Sequence, residues 1–214
     1  MLKPAKLARI VCAGAVGMAL MLLAACDYLP FFGNDNDRRP TQGPQADQYQ
    51  KAMEYKEKSD CPHAIPLLEP LAKCGHGFEV AQFQLGECYI ETARAAASAA
   101  DAERARVDGA AWILRAANSQ NPGAQQEAIR LYEEGIGVAA DPAEAGKWLL
   151  VLQRNPMRRL YGPSVIDPDL EQALNKKLTS AQWSEAHARA DRWQPVEQPT
   201  VLPPPEPNKA DKRG

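Results

Sequence analysis

The chain has 214 residues, with 25 lysines and arginines against 27 aspartates and glutamates, for a net charge of −2. Without a basic surplus it lacks the electrostatic footprint of a nucleic-acid-binding protein, so we exclude nucleic acid as a partner. Alanine, leucine, glutamate and arginine dominate the middle of the chain, and no stretch alternates β-branched with polar residues. This pattern predicts an all-α protein with one folded domain.

Residues 1–25 have the composition of a secretory signal peptide. Three basic residues within the first nine positions precede an apolar stretch over residues 10–22, which is short for a permanent membrane-spanning helix. The stretch ends in Leu23-Ala24-Ala25-Cys26. These four residues resemble the lipobox of bacterial lipoproteins at every position. The resemblance implies cleavage before Cys26, followed by acylation of its thiol and of its new amino group, which attaches a protein stably to a membrane.

This resemblance implies a lipid-anchored protein of the bacterial cell envelope that faces the periplasm. Asp27 resembles the residue that retains enteric lipoproteins in the inner membrane, which favours the inner over the outer membrane. Loss of residues 1–25 would leave 22 basic and 27 acidic residues, and so a net charge of about −5. Residues 26–45 are rich in proline, glycine, asparagine and aspartate without a helical period, which predicts a flexible linker.

An internal repeat indicates the fold of the rest of the chain. Residues 81–89 read Ala-Gln-Phe-Gln-Leu-Gly-Glu-Cys-Tyr, and residues 124–148 contain a Gly-Ile-Gly-Val loop between two helical patterns. Both segments resemble the Sel-one-like repeat, a relative of the tetratricopeptide repeat, and residues 52–72 resemble a degenerate third copy. The resemblance implies an α/α helical-repeat solenoid over residues 46–155.

The first clear copy carries an insertion. Tyr89 and Trp112 are seven residues further apart than Tyr132 and Trp148, the corresponding pair of the second copy. The additional residues are rich in alanine and other strong helix formers, so we expect both helices of this repeat to be longer. We expect the four aromatic side chains to fill the space between neighbouring helix pairs.

The segment 156–194 should close the open end of the solenoid. We predict helices at about 168–177 and 180–193, the second one beginning with a capping box formed by Thr179 and Gln182. Residues 195–214 contain six prolines among charged residues, which predicts a disordered tail.

Besides the acylated Cys26, three cysteines remain in an oxidising compartment after the signal peptide is removed. Cys61 and Cys74 flank a predicted helix of about 13 residues, which holds them ~20 Å apart and prevents a bond between them. The next helix runs back antiparallel and brings Cys88 beside Cys61, so we predict a Cys61–Cys88 disulfide. Cys74 would then remain a thiol or pair with a cysteine of another protein.

The sequence contains no convincing metal or catalytic site. Cys61-x-His63 and Cys74-x-His76 resemble two halves of a zinc site, but the predicted helix keeps the halves apart, whereas zinc ligands converge on one point. None of the three histidines lies in a recognisable nucleophile motif. We therefore predict no enzyme activity, no metal and no cofactor.

The resemblance also indicates a function. In tetratricopeptide-like folds the first helix of each pair lines a concave groove, so this chain would be an adaptor or scaffold that binds an envelope protein or a peptide segment. The groove residues implied by the repeat register are Tyr49, Met53, Lys56, Phe83, Glu87, Ile90, Gln126, Arg130 and Glu133.

Two alternatives come from similar proteins. Helical-repeat lipoproteins also serve as accessory proteins of exopolysaccharide secretion or envelope assembly. Some cysteine-rich Sel-one-like proteins are described as binding or hydrolysing β-lactams, but they carry a cysteine at the start of a repeat, where this chain has Ala81. The enzyme analogy therefore fails at that residue.

Overall fold

The computed structural model describes residues 44–158 and 168–199, and these residues contain helices and no strand. The signal peptide, Cys26, most of the linker and most of the tail lie outside the described residues. The helices are α1 (Pro44–Lys56), α2 (Cys61–Ala72), α3 (Glu79–Arg94), α4 (Ala99–Asn118), α5 (Pro122–Glu134), α6 (Pro142–Arg154), α7 (Pro168–Lys177) and α8 (Ser180–Arg192). Consecutive helices from α1 to α6 pack against each other, and α8 packs on α6. The all-α solenoid with a C-terminal helix pair is confirmed.

The helix starts follow local sequence signals. The side chains of Asp60, Asn121 and Asp141 each accept a hydrogen bond from a backbone N–H three residues on, and a proline follows in the first turn of each helix. Helix α8 begins with the predicted capping box of Thr179 and Gln182. These caps satisfy N–H groups that have no partner inside their own helix.

The degenerate copy at residues 52–72 is the first repeat along the chain, and it forms a complete helix pair, α1 and α2. Helix α1 begins two residues inside the predicted linker. Helix α2 continues through Pro66 and Pro70, which lie on an exposed face together with Pro62. Each internal proline lacks the N–H that would bond to the carbonyl group four residues earlier in the helix. Because these carbonyl groups lie on the exposed face of the helix, water can bond to them instead.

The second repeat along the chain, which is the first clear copy of the motif, has the longest helices, as its insertion predicted. Helices α3 and α4 have 16 and 20 residues, whereas α5 and α6 have 13 each. They approach closely where Gly86 meets Gly109, because a Cβ atom built on either glycine would lie 2.7 Å from the carbonyl oxygen of the other. The Gly-Ile-Gly-Val loop also packs on α4, since a side chain at Gly137 would collide with the Arg106 carbonyl. Small residues therefore set the spacing of this helix pair.

The core consists of two clusters of buried side chains. The first joins α1, α2 and α3 and includes Leu68 and Leu85. The second extends from α3 through α8 and contains Trp148, which is 1% exposed. Among the other predicted space-filling aromatics, Tyr89 and Trp112 pack half-buried against the first cluster, and Tyr132 packs half-buried against the second. No helix within the two described ranges is both long enough and apolar enough to cross a bilayer.

The beginning of the predicted disordered tail is held by the fold. The N–H of Val196 donates to the carbonyl oxygen of Asn118 at 2.8 Å, and the side chain of Gln198 is buried. The prediction is therefore wrong for residues 195–199. Proline content indicated an extended chain, but it contained no information about the hydrogen bonds that attach this segment to α4.

Candidate functional site: the face of the first helices

Side chains connect the first helices of the three repeats. Lys56, at the end of α1, donates hydrogen bonds to Gln84 and Glu87 on α3. Phe83 of α3 reaches the beginning of α5, where a Cβ atom on Gly123 would lie 3.0 Å from the Phe83 ring. Helices α1, α3 and α5 therefore present one surface, which we call the first-helix face.

The first-helix face carries charges of both signs. Arg130 on α5 is paired with Glu127, and this hydrogen bond raises the pKa of the guanidinium above its usual value. The negative charges of Glu134 and of Glu87 on α3 act in the same direction. The face thus carries a lysine on α1, a carboxylate on α3, and both an arginine and carboxylates on α5.

The capping helix α7 reaches the same face. Lys177 donates a 2.6 Å hydrogen bond to Glu133, and this bond raises the pKa of the lysine. The Glu133 side chain is only 12% exposed, whereas that of Lys177 is 65% exposed. Glu133, a predicted groove residue, therefore also links α5 to α7.

The remaining predicted groove residues divide into two groups. Tyr49 and Met53 pack half-buried against the first core cluster, and Gln126 is half-buried on α5. Ile90 is 7% exposed, and two of its side-chain carbons lie within 3 Å of the position a Gly109 Cβ would take. Its assignment to the groove is wrong, because the close approach of α3 and α4 buries this side chain between them.

Three residues of the first-helix face were missed by the sequence analysis. Gln84 and Glu127 stand three residues before Glu87 and Arg130, so helical i, i+3 spacing could have identified them. Lys177 comes from a distant helix and gave no local signal.

The predicted disulfide is confirmed. Cys61, the first residue of α2, is bonded to Cys88 in the middle of α3, with 5.1 Å between their Cα atoms. Since Cys61 is bonded to sulfur, the Cys61-x-His63 motif cannot supply a thiolate to a metal. Cys74 is buried and its thiol lies 3.3 Å from the Pro70 carbonyl oxygen, so its sulfur is not presented to another protein.

Other parts of the described chain give no indication of catalysis. His63 is an exposed helix-end residue whose Nδ1 lies 2.7 Å from the Asp60 carboxylate. Two open clefts of about 320 and 290 Å³ lie beside residues 193–199, and no predicted groove residue lines either of them. Within residues 44–158 and 168–199, no three histidine, cysteine or acidic side chains are grouped as metal ligands would be.

Comparison with known proteins adds to this description at the level of the fold. No protein-family model and no curated protein sequence matches the chain. One similar solved structure is the crystal structure of c5321, a protective antigen present in uropathogenic Escherichia coli strains that displays an SLR (Sel-one-like repeat) fold. The match has a TM-score of 0.54 and 21% identity, and it covers 71% of this chain and 30% of that chain. The described residues thus have the fold of a Sel-one-like helical-repeat protein.

Proposed function

We propose that this chain is a lipid-anchored adaptor of the bacterial cell envelope whose first-helix face binds a segment of another protein in the periplasm. The observation that carries the proposal is the joining of α1, α3 and α5 into one surface that carries charges of both signs. A repeat solenoid offers such a surface along several helices at once.

The chemistry of the face suits a peptide. Met53 and Phe83 are half-buried and expose part of their apolar surface, while Lys56, Glu87 and Arg130 provide charges of both signs beside them. Protein interfaces combine apolar contacts with a polar rim in this way, and the charges select the partner and its orientation. The carboxylates of Glu87 and Glu127 on this face would repel a phosphate ligand.

Two variants test the face once crosslinking in the native membrane has identified the partner. Phe83→Ala and Arg130→Ala should each weaken binding by about tenfold or more, because central aromatic and arginine residues contribute most to interfaces. The measurement is titration of purified variants with the partner, with circular dichroism as a check of folding. Arg104→Ala, an exposed position on α4, is the matched control and should bind like the unaltered chain. Unchanged affinity in both face variants would refute this surface as the binding site.

The lipid anchor has a separate test. Cys26 should be the N-terminal residue of the mature protein and should carry acyl chains, because residues 23–26 complete a lipobox. Mass spectrometry of membrane-extracted protein would detect the added mass, and Cys26→Ala should move the protein into the soluble fraction. An unmodified cysteine or a different N-terminus would contradict the anchor. Fractionation of membranes on a sucrose gradient would test the inner-membrane location that Asp27 favours.

A further inference from the structure

The segment 194–199 leaves the end of α8 and crosses the C-terminal end of α4. Its backbone is held at one residue, where the Val196 N–H donates to the Asn118 carbonyl and the Val196 carbonyl accepts from the Ser119 hydroxyl at 2.9 Å. The Val196 side chain is 54% exposed, and Glu197 is exposed as well. Val196 is therefore held through its backbone and not through its side chain.

Gln198 is different, because its side chain enters a polar site between α3 and α4. Its Oε1 accepts hydrogen bonds from Gln82 Nε2 at 2.8 Å and from Arg115 Nε at 2.7 Å. Its Nε2 donates to Gln82 Oε1 at 3.0 Å and to Ser119 Oγ at 2.6 Å. A glutamine amide has two donor hydrogens and two acceptor lone pairs, and this arrangement uses all four.

The residues that line this site depend on Gln198 for their hydrogen bonds. Gln82 is 0% exposed, and its Nε2 also donates to the Ala72 carbonyl at 3.0 Å. Without Gln198, the Gln82 oxygen and one of its N–H groups would lose their hydrogen bonds in a buried position, which is unfavourable. Ser119 has one hydroxyl hydrogen, which it donates to Val196, and this leaves its oxygen to accept from Gln198. The site thus contacts both the backbone of Val196 and the side chain of Gln198.

We propose that Gln82, Arg115 and Ser119 form a recognition site for a glutamine in an extended peptide, and that the chain's own segment 194–199 is its resident ligand. The geometry selects glutamine, since asparagine is one methylene shorter and glutamate has no hydrogens to donate to Gln82 and Ser119. The site includes no residue of the first-helix face, so the proposal stands independently of the proposed function.

Amide hydrogen exchange on the full chain tests the resident ligand. In Gln198→Ala, exchange of the Val196 N–H should accelerate at least tenfold, because the side chain that anchors the segment is lost. Glu197→Ala, an exposed neighbour, is the matched control and should exchange like the unaltered chain. Gln198→Asn keeps the amide but shortens the side chain, and it should accelerate exchange as well. Unchanged Val196 exchange in Gln198→Ala or in Gln198→Asn would overturn the proposal.

Addition of a peptide tests recognition itself. A peptide with the sequence of residues 194–199, added at millimolar concentration to full-length Gln198→Ala, should shift the side-chain amide resonance of Gln82 in NMR spectra. The same peptide with alanine in place of the glutamine that corresponds to Gln198 should leave that resonance unchanged, although it keeps the glutamine that corresponds to Gln194. The unaltered chain, whose site is filled, should not respond to either peptide. A failure of the glutamine peptide to shift the resonance, or an equal response to both peptides, would show that the site does not recognise glutamine.

Discussion

Trp148→Ala should lower the free energy of unfolding by about 3 to 5 kcal/mol, the cost typical of removing a large buried aromatic side chain. Trp148 is 1% exposed within the larger core cluster, and it packs edge-on against Trp193 with 6.1 Å between the ring centroids. The Lys147 ammonium lies 3.6 Å from the centroid of its ring. Alanine would leave a cavity where the last repeat meets the capping helix α8. Urea unfolding followed by circular dichroism measures the loss.

Trp148→Phe is the informative control for this prediction. The indole Nε1 of Trp148 is buried without a hydrogen-bond partner in the described part of the chain. Phenylalanine retains an aromatic ring and removes this unsatisfied N–H, so it should cost less than half as much as alanine. Equal losses for the two variants would contradict the view that buried aromatic volume stabilises this junction. Trp112→Ala, at a half-buried position, should also cost less than Trp148→Ala.

Removal of the Cys61–Cys88 disulfide should cost about 3 to 4 kcal/mol of stability. The bond joins residues 27 positions apart, and a cross-link over that length restricts the unfolded chain by this amount in the chain-entropy model. The double variant Cys61→Ala and Cys88→Ala should therefore unfold at a lower urea concentration than the oxidised chain. Reduction of the unaltered chain should produce a shift in the same direction.

Cysteine variants separate the disulfide from other effects of a reductant. Cys74→Ala should still lose stability on reduction, because the Cys61–Cys88 bond is intact in it. The double variant should not respond to reductant at all. If the unaltered chain unfolds at the same urea concentration with and without reductant, the disulfide does not contribute the predicted stability.

Short-range patterns were sufficient for most of the solenoid. Helix caps such as Asp141 and Thr179 act over three residues, so their effect can be predicted from neighbouring positions. The Cys61–Cys88 pair also followed from helix length and antiparallel direction alone, since 1.5 Å per residue determines which positions of adjacent helices meet. The inserted residues lengthened α3 and α4 because helix propensity is a local property.

The first-helix face was only partly predictable. The repeat register predicted that Lys56, Phe83, Glu87 and Arg130 share one face, since each repeat reuses the same helix faces. In the structure Lys56 bonds to Glu87, Phe83 reaches the beginning of α5, and the charge of Glu87 acts on Arg130. The same register placed Ile90 in the groove, but its exposure depends on how closely another helix approaches. The Gly86–Gly109 contact determines that distance, and it buries Ile90.

Local sequence therefore accounts for the helices, their caps, the repeat and the disulfide, because each depends on spacing along one helix or between adjacent helices. Tertiary structure decided the burial of Ile90, the link from Lys177 to Glu133 and the docking of Gln198. The partners of Gln198 stand 83 residues away at Arg115 and 116 residues away at Gln82. Hydrogen bonds over such separations arise only when the packed helices bring the two segments together, so composition could describe the tail as extended without showing where it binds.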